Sequence, residues 1–445
     1  MTAELELPAG SAPNSGLRPY LAAFTLQSFG WGVLLLVFSF GSFSSANSAL
    51  DVAATGAFIA APTLILMPIS ARLVRRFPAR QLNVAILLID FVLYLSLAVY
   101  TEIYGESLQL LFVAAALTGI LYVAMYVPAW SNLVRTAVPP EQLSDLNLRL
   151  ISVKSAGQVV GLVTSGLLLA VVGYSGLFLI CGLTFLPLAW ASARMPLTGA
   201  GSVAEPSESS SLIVALRELW ASKLMRSSFV LMGVLIFAAW PLMVLLPPVA
   251  GYMFPESQLA LSFLMAMFFI GSALVSPMIK LRINGLKGTR KMLVSAERHS
   301  WPRRLLPLVS VAIALLALTA HVEPALLGLV LTGLLLIPAG LLLGVLGVMT
   351  TSLVQREISP ASAAMGLTAY VIVVEIGTSI GSLTAAAIAD SIGVFIVLVG
   401  LGALGIIATI WIVSNRYFVP VSDMVAETFV PPELMPKLQS RPADT

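Results

Sequence analysis

The sequence predicts an all-α membrane protein of twelve transmembrane helices in two pseudo-symmetric six-helix bundles, and three observations carry that reading. Of the 445 residues 58% are hydrophobic and 10% charged, against about 25% charged in a soluble chain, so the protein cannot cover a water-facing surface. Twelve apolar runs of about 20 residues match the length a helix needs to cross roughly 30 Å of hydrocarbon. When the chain is threaded through those runs, Lys and Arg fall on one side only, as the positive-inside rule requires.

The runs are 18–42, 51–73, 81–101, 107–130, 147–172, 175–193, 227–250, 257–280, 304–321, 325–350, 362–389 and 392–414. Stretches such as Val311 to Ala320 and Leu326 to Leu343 do not alternate as barrel strands do, so the spans are helices. With the N-terminus inside, Arg18, Arg72, Arg75, Arg76, Arg80, Arg135 and Arg149 are cytoplasmic. So are the basic residues from Arg194 to Arg226, from Lys280 to Arg304, and Arg356, Arg416, Lys437 and Arg441. The opposite loops hold Glu102, Glu106, Glu256, Glu323 and Asp390 without Lys or Arg. Both termini are therefore expected in the cytoplasm.

The chain divides into a polar N-terminal tail (1–16), a first bundle (17–193), a linker (194–226), a second bundle (227–414) and a C-terminal tail (415–445). The tail lacks a basic segment followed by a cleavage site, so it is expected to be retained. The linker begins with the flexible composition GAGSVAEPSESSS. It continues with Leu212, Ile213, Leu216, Leu219 and Trp220 at the spacing of an interfacial helix. Sliding the chain by 220 residues aligns SNLVRTAVPP with TSLVQREISP and superposes Gly157 on Gly377 and Gly161 on Gly381. Two parallel halves with a midplane site between them follow.

Net charge is +3, from 24 Lys and Arg against 21 Asp and Glu, with no nucleic-acid footprint. One cysteine, Cys181, excludes an internal disulfide, and two histidines, His299 and His321, exclude a multi-histidine metal site. No cofactor is expected. The sequence contains no HExxH, GxSxG or P-loop, which argues against an enzyme and against ATP drive.

Ionisable groups at bilayer depth cost about 2.5–3.5 kcal/mol on insertion scales and mark function. Glu375, near the middle of the eleventh span, is the first: a carrier of a coupling proton, a partner for a cationic substrate, or a structural carboxyl satisfied by a neighbouring hydroxyl. Asp90, midway through the third span, is the second. Lys154 is the third; under the 220-residue offset it aligns with Val374, beside Glu375. It either faces the same cavity as Glu375 or snorkels to the headgroups.

The loop Ala71-Arg-Leu-Val-Arg-Arg-Phe-Pro-Ala-Arg80 resembles the signature loop of the major facilitator superfamily. Arg76 and Arg80 stand at its basic positions and Arg75 where its Asp is expected. Gly157-Gln-Val-Val-Gly161-Leu-Val-Thr-Ser-Gly166 is similar to that superfamily's antiporter motif, and generic small-residue packing explains the strip as well. Tyr126 to Arg135, Val138 to Leu143 and Leu216 to Arg226 resemble the bacterial efflux members, nearest the enterobactin-exporter and secretion-effector branch.

The resemblance spans residues 17 to 415. It implies the major facilitator fold and export of a small amphipathic or hydrophobic organic compound (drug, siderophore or metabolite) by proton antiport with alternating access. The location it implies is a cell membrane, with a monomeric protein. Arg75, Arg76, Arg80, Gly157, Gly161 and Gly166 become gating candidates. The first, fourth, seventh and tenth spans become cavity wall, with Gln27 and Trp31, Tyr122, Tyr126 and Trp130, and Trp240 as candidate wall residues. Uptake, or lysolipid movement between leaflets, fits the same scaffold, and a non-transporting scaffold or receptor is the rival of another class. The basic connection from Lys280 to Arg304 suits the anionic headgroups of the surrounding bilayer.

Overall fold

The computed structural model describes residues 17–138, 140–195, 239–255, 257–275, 301–319, 321–357 and 363–414, with separate positions between 217 and 237 and at 277. Its elements are α1 (Leu17–Ala46), α2 (Ala49–Arg76) and α3 (Ala79–Tyr104), then a rod of α4 (Leu108–Thr118), a π-helix (Gly119–Tyr126) and α5 (Val127–Ala137). They are followed by α6 (Pro140–Ala193), α7 (Pro241–Met253), α8 (Gln258–Ala273) and α9 (Trp301–Thr319), and by α10 (Ala325–Glu357), α11 (Ala363–Ile392) and α12 (Val394–Ser414). The expected interfacial helix of the linker, the basic connection up to residue 300 and both tails lie outside the described residues, apart from isolated linker positions.

Composition dictates helix here because a lipid-dissolved backbone must satisfy its own N–H and C=O groups. Seven of the described helices are long and apolar enough to cross a membrane, and four further apolar ones are shorter. The exterior is apolar: Val171 is 74% exposed, Ile103 65% and Ile407 64%. This is a multi-pass membrane protein.

Helix α6 is 54 residues long and is broken at Gly173, whose φ of 64° suits a residue without Cβ. The break reverses the chain. A Cβ on Gly32 of α1 would strike Gln158, and one on Gly30 would strike Thr184. In a straight helix those two α6 residues would stand about 39 Å apart at 1.5 Å per residue.

Two apolar cores form. One joins residues of α1 to α6; the other joins α7 to α12 and recruits Leu36, Ala49, Val52, Ala53 and Leu162 from the first. Small residues let helices approach closely where no water drives them together. Gly157 sits against the Thr25 carbonyl and Gly161 against that of Phe29, seating α1 on α6. Gly119 sits against the Ile59 carbonyl in the first half, and Gly340 against that of Phe268 in the second. The halves meet along two seams, α6 on α8 and α2 on α11. Ser107 and Ser257 start α4 and α8 as N-caps, accepting from the amides of Leu110 and Ala260, each at 3.2 Å.

Candidate functional site

Aromatic side chains of α1 and the α4–π–α5 rod form a ladder. Trp31 stacks on Tyr122 with ring centroids 4.2 Å apart, and Tyr122 on Tyr126 at 5.3 Å. Towards the start of α1, Phe24 lies parallel to Trp130 at 5.6 Å and to Tyr20 at 6.2 Å. The π-helix sets the rung positions. Its bonds close over five residues, as where the Val127 amide donates to the Tyr122 carbonyl, and such segments are frequent at functional sites.

Polar groups line this ladder without partners. Among the described residues the hydroxyls of Tyr20 and Tyr126, the indole N–H of Trp130 and both amide atoms of Gln27 are buried without a hydrogen bond of good geometry. They are nonetheless neighbours: Tyr20 lies beside Trp130 and Tyr126, and Tyr122 beside Gln27. Each unpartnered buried group costs about 1–3 kcal/mol.

Asp90 on α3 is fully buried, both its carboxyl oxygens lack a partner among the described residues, and its charge is felt by Tyr94, Tyr122 and Cys181. Tyr94 does not serve it. The Thr118 hydroxyl gives its proton to the Ala114 carbonyl at 2.7 Å, so the 2.9 Å bond between Tyr94 and Thr118 takes the Tyr94 proton. Asn83, two turns before Asp90 on the same face, is likewise buried with both amide atoms unpartnered.

Among the described residues neither the Lys154 nor the Glu375 side chain has a hydrogen-bond or ion-pair partner. Both are half-buried. On α6 the lipid face carries Val160, Val163 and Leu167, each more than half exposed. Lys154 is on the opposite face, in line with buried Gln158 and Ser165. On α11, Ile376 and Ile380 face outward, and Glu375 shares its side with Ser382 and Ala386, both buried. The neighbouring hydroxyl does not reach the carboxyl: Thr378 donates to the backbone carbonyl of Glu375 at 3.0 Å. Val371, one turn earlier, packs against both cores, and Ser155, next to Lys154, bonds Ser272 of the other half at 3.1 Å. Both charges therefore flank the boundary between the halves.

The remaining candidates divide. Gly157 and Gly161 face α1, whereas Gly166 faces Gln258 and Ser262 of α8. Arg80 donates to the Met195 carbonyl, tying α3 to the end of α6 within one half. Arg76 stacks on Phe77 at 5.9 Å; the Arg75 side chain lies outside the described residues. Trp240, 37% exposed, is not part of the ladder. Tyr20 and Phe24 belong to it and were not among the sequence-derived candidates, although their spacing with Gln27 and Trp31 marks one helix face.

This is the fold of a multi-pass membrane transporter. The family model of the Major Facilitator Superfamily matches residues 19–382, and the chain belongs to that superfamily. No curated protein matches it in sequence. Solved structures resemble it in fold. The nucleoside transporter NupG is 14% identical with a TM-score of 0.63 over 90% of this chain and 98% of that one. A bacterial homologue of the lysosomal transporter Spinster, inward-facing and unoccupied, is 16% identical with a TM-score of 0.57 over 95% and 100%. A bacterial homologue of the iron transporter ferroportin, outward-facing, is 17% identical with a TM-score of 0.57 over 89% and 99%.

Proposed function

We propose that the protein exports small amphipathic or hydrophobic organic compounds by proton antiport, rocking two six-helix halves about a midplane site with both termini cytoplasmic. Twelve spans are consistent with seven long apolar helices, one of them doubled back at Gly173, plus four shorter ones. The observation that carries the reading is the pair of half-buried charges, Lys154 and Glu375, one on each half beside the boundary and without a partner among the described residues. A charge at that depth is retained where it meets a pathway. Glu375 carries the proton, Lys154 its counter-charge, and Asp90 a second protonation site. Gln27, Trp31, Tyr122, Tyr126 and Trp130 supply the apolar, aromatic wall.

The test is proton flux in proteoliposomes on addition of each of a panel of drugs, siderophores and lysolipids. Outward-directed substrate movement against inward proton movement, lost in Glu375→Gln, is the expected result. Flux unchanged in Glu375→Gln removes the proton role, and substrate moving in the same direction as protons replaces export by uptake.

A further inference from the structure

We propose that Asp390 is a gating latch: carried by α11 of one half, its carboxylate caps the first turn of α2 in the other half, and opening at this end of the molecule proceeds by breaking that cap. Three hydrogen bonds define it. The Ser48 hydroxyl donates to Asp390 Oδ2 at 2.7 Å, the Ala49 amide to Oδ1 at 3.0 Å and the Leu50 amide to Oδ2 at 3.0 Å. Ser48 Oγ in turn accepts from the Asp51 amide at 3.3 Å.

The first amides of any helix have no partner within it. Here those of Ala49 and Leu50 are completed by an acid more than 300 residues away in sequence. A carboxylate at the positive end of a helix is held both by charge-assisted bonds and by the helix dipole. Because Asp390 and Leu50 are exposed, water replaces each bond as the halves part, which makes the latch reversible. It differs in this from the glycine-lined contacts inside each half, whose helices have no room to re-form.

Among the described residues the latch belongs to one seam. Under the 220-residue offset the position equivalent to Asp390 is Ala170, near the break in α6. At the facing helix, α8, Ser257 caps its own Ala260 amide. The α6–α8 seam closes at this end by contact of Gly166 with Ser262 and Gln258, without an acid from α6. Opening of this end is therefore controlled by α2 and α11.

That this end faces outward rests on the topology proposed above, so the test separates the two. In a Cys181→Ser background, spin labels at Glu106→Cys and Glu323→Cys report the distance between the halves at the Asp390 end. Asp390→Asn, which keeps side-chain volume, is expected to raise the ratio of the longer to the shorter distance by about tenfold, the effect of losing a charge-assisted cap. Ser48→Ala shifts it in the same direction by less. Distance distributions in Asp390→Asn that match the parent overturn the latch, as does a shift towards shorter distances. A membrane-impermeant maleimide applied to intact cells reads the side: labelling of Glu106→Cys only after permeabilisation overturns the topology and leaves the latch standing.

Discussion

Ser155 of α6 and Ser272 of α8 share a 3.1 Å hydrogen bond across the boundary between the halves, one residue from Lys154. The bond fixes how far Lys154 stands from the second half in this arrangement, and Glu375 approaches the same boundary from α11. If the two charges meet when the halves rock, each single reversal leaves a like-charge pair at membrane depth, where a lone charge costs about 2.5–3.5 kcal/mol. Lys154→Glu and Glu375→Lys are each expected to lower the initial transport rate more than about tenfold. The double reversal recovers a substantial part of it in proteoliposomes. A double variant as slow as either single one rules out pairing.

Trp31 and Tyr122 supply a second prediction. Their 4.2 Å stack needs the ring of Tyr122 and not its hydroxyl, while Gln27 lies beside Tyr122. Tyr122→Phe is expected to keep the melting temperature in detergent close to the parent value and to weaken substrate binding. Tyr122→Ala removes the stack, leaves a cavity and lowers stability by about 3–5 kcal/mol, the usual range for aromatic truncation. Thermal unfolding followed by tryptophan fluorescence distinguishes them. Equal stability losses in the two variants would make the hydroxyl structural.

Much of this was legible in the sequence because membrane burial writes itself into composition. The run 81–101 appears as α3, and the runs 147–172 and 175–193 fall on either side of the break at Gly173. Trp31, Tyr122, Tyr126 and Trp130, which the family resemblance placed in a cavity wall, stand along one aromatic ladder. Three features were not legible. Nothing in Gly119 to Tyr126 announces a π-helix; the folded chain lays α2 against it at Gly119. Asp390 reads as one more loop acid until the folded chain sets it on Ala49 and Leu50. Trp240, marked only by its place beside Pro241, stands outside the ladder and is 37% exposed.

Gly161 offers a test of how α1 is held. A side chain there would meet the Phe29 carbonyl and Gly32, both in the middle of α1, so no flexible neighbour is available to give way. Gly161→Leu is expected to force α1 off α6 and cost at least about 1–3 kcal/mol by overpacking, seen as loss of folded protein on size-exclusion chromatography. Gly166→Ala reaches the Ser262 hydroxyl of the other half instead. It is expected to leave folding intact and slow transport, because the contact lies on a surface that separates during the cycle.

Asp90 gives the prediction with the sharpest sign. A buried carboxyl with two unpartnered oxygens contributes nothing to stability that an amide of the same shape would not, and removing a buried charge that has no partner is neutral or stabilising. Asp90→Asn is therefore expected to melt at or above the parent temperature. If Asp90 is instead held by an ordered water or by rearranged neighbours such as Tyr122, the same change lowers stability by about 1–3 kcal/mol and the residue is a structural strut. Transport resolves what stability does not. Under the proposed function Asp90 is a second protonation site, and Asp90→Asn is then expected to flatten the dependence of the rate on the proton gradient while substrate still binds. A variant that melts like the parent and keeps its full response to the gradient would leave the proton with Glu375 alone.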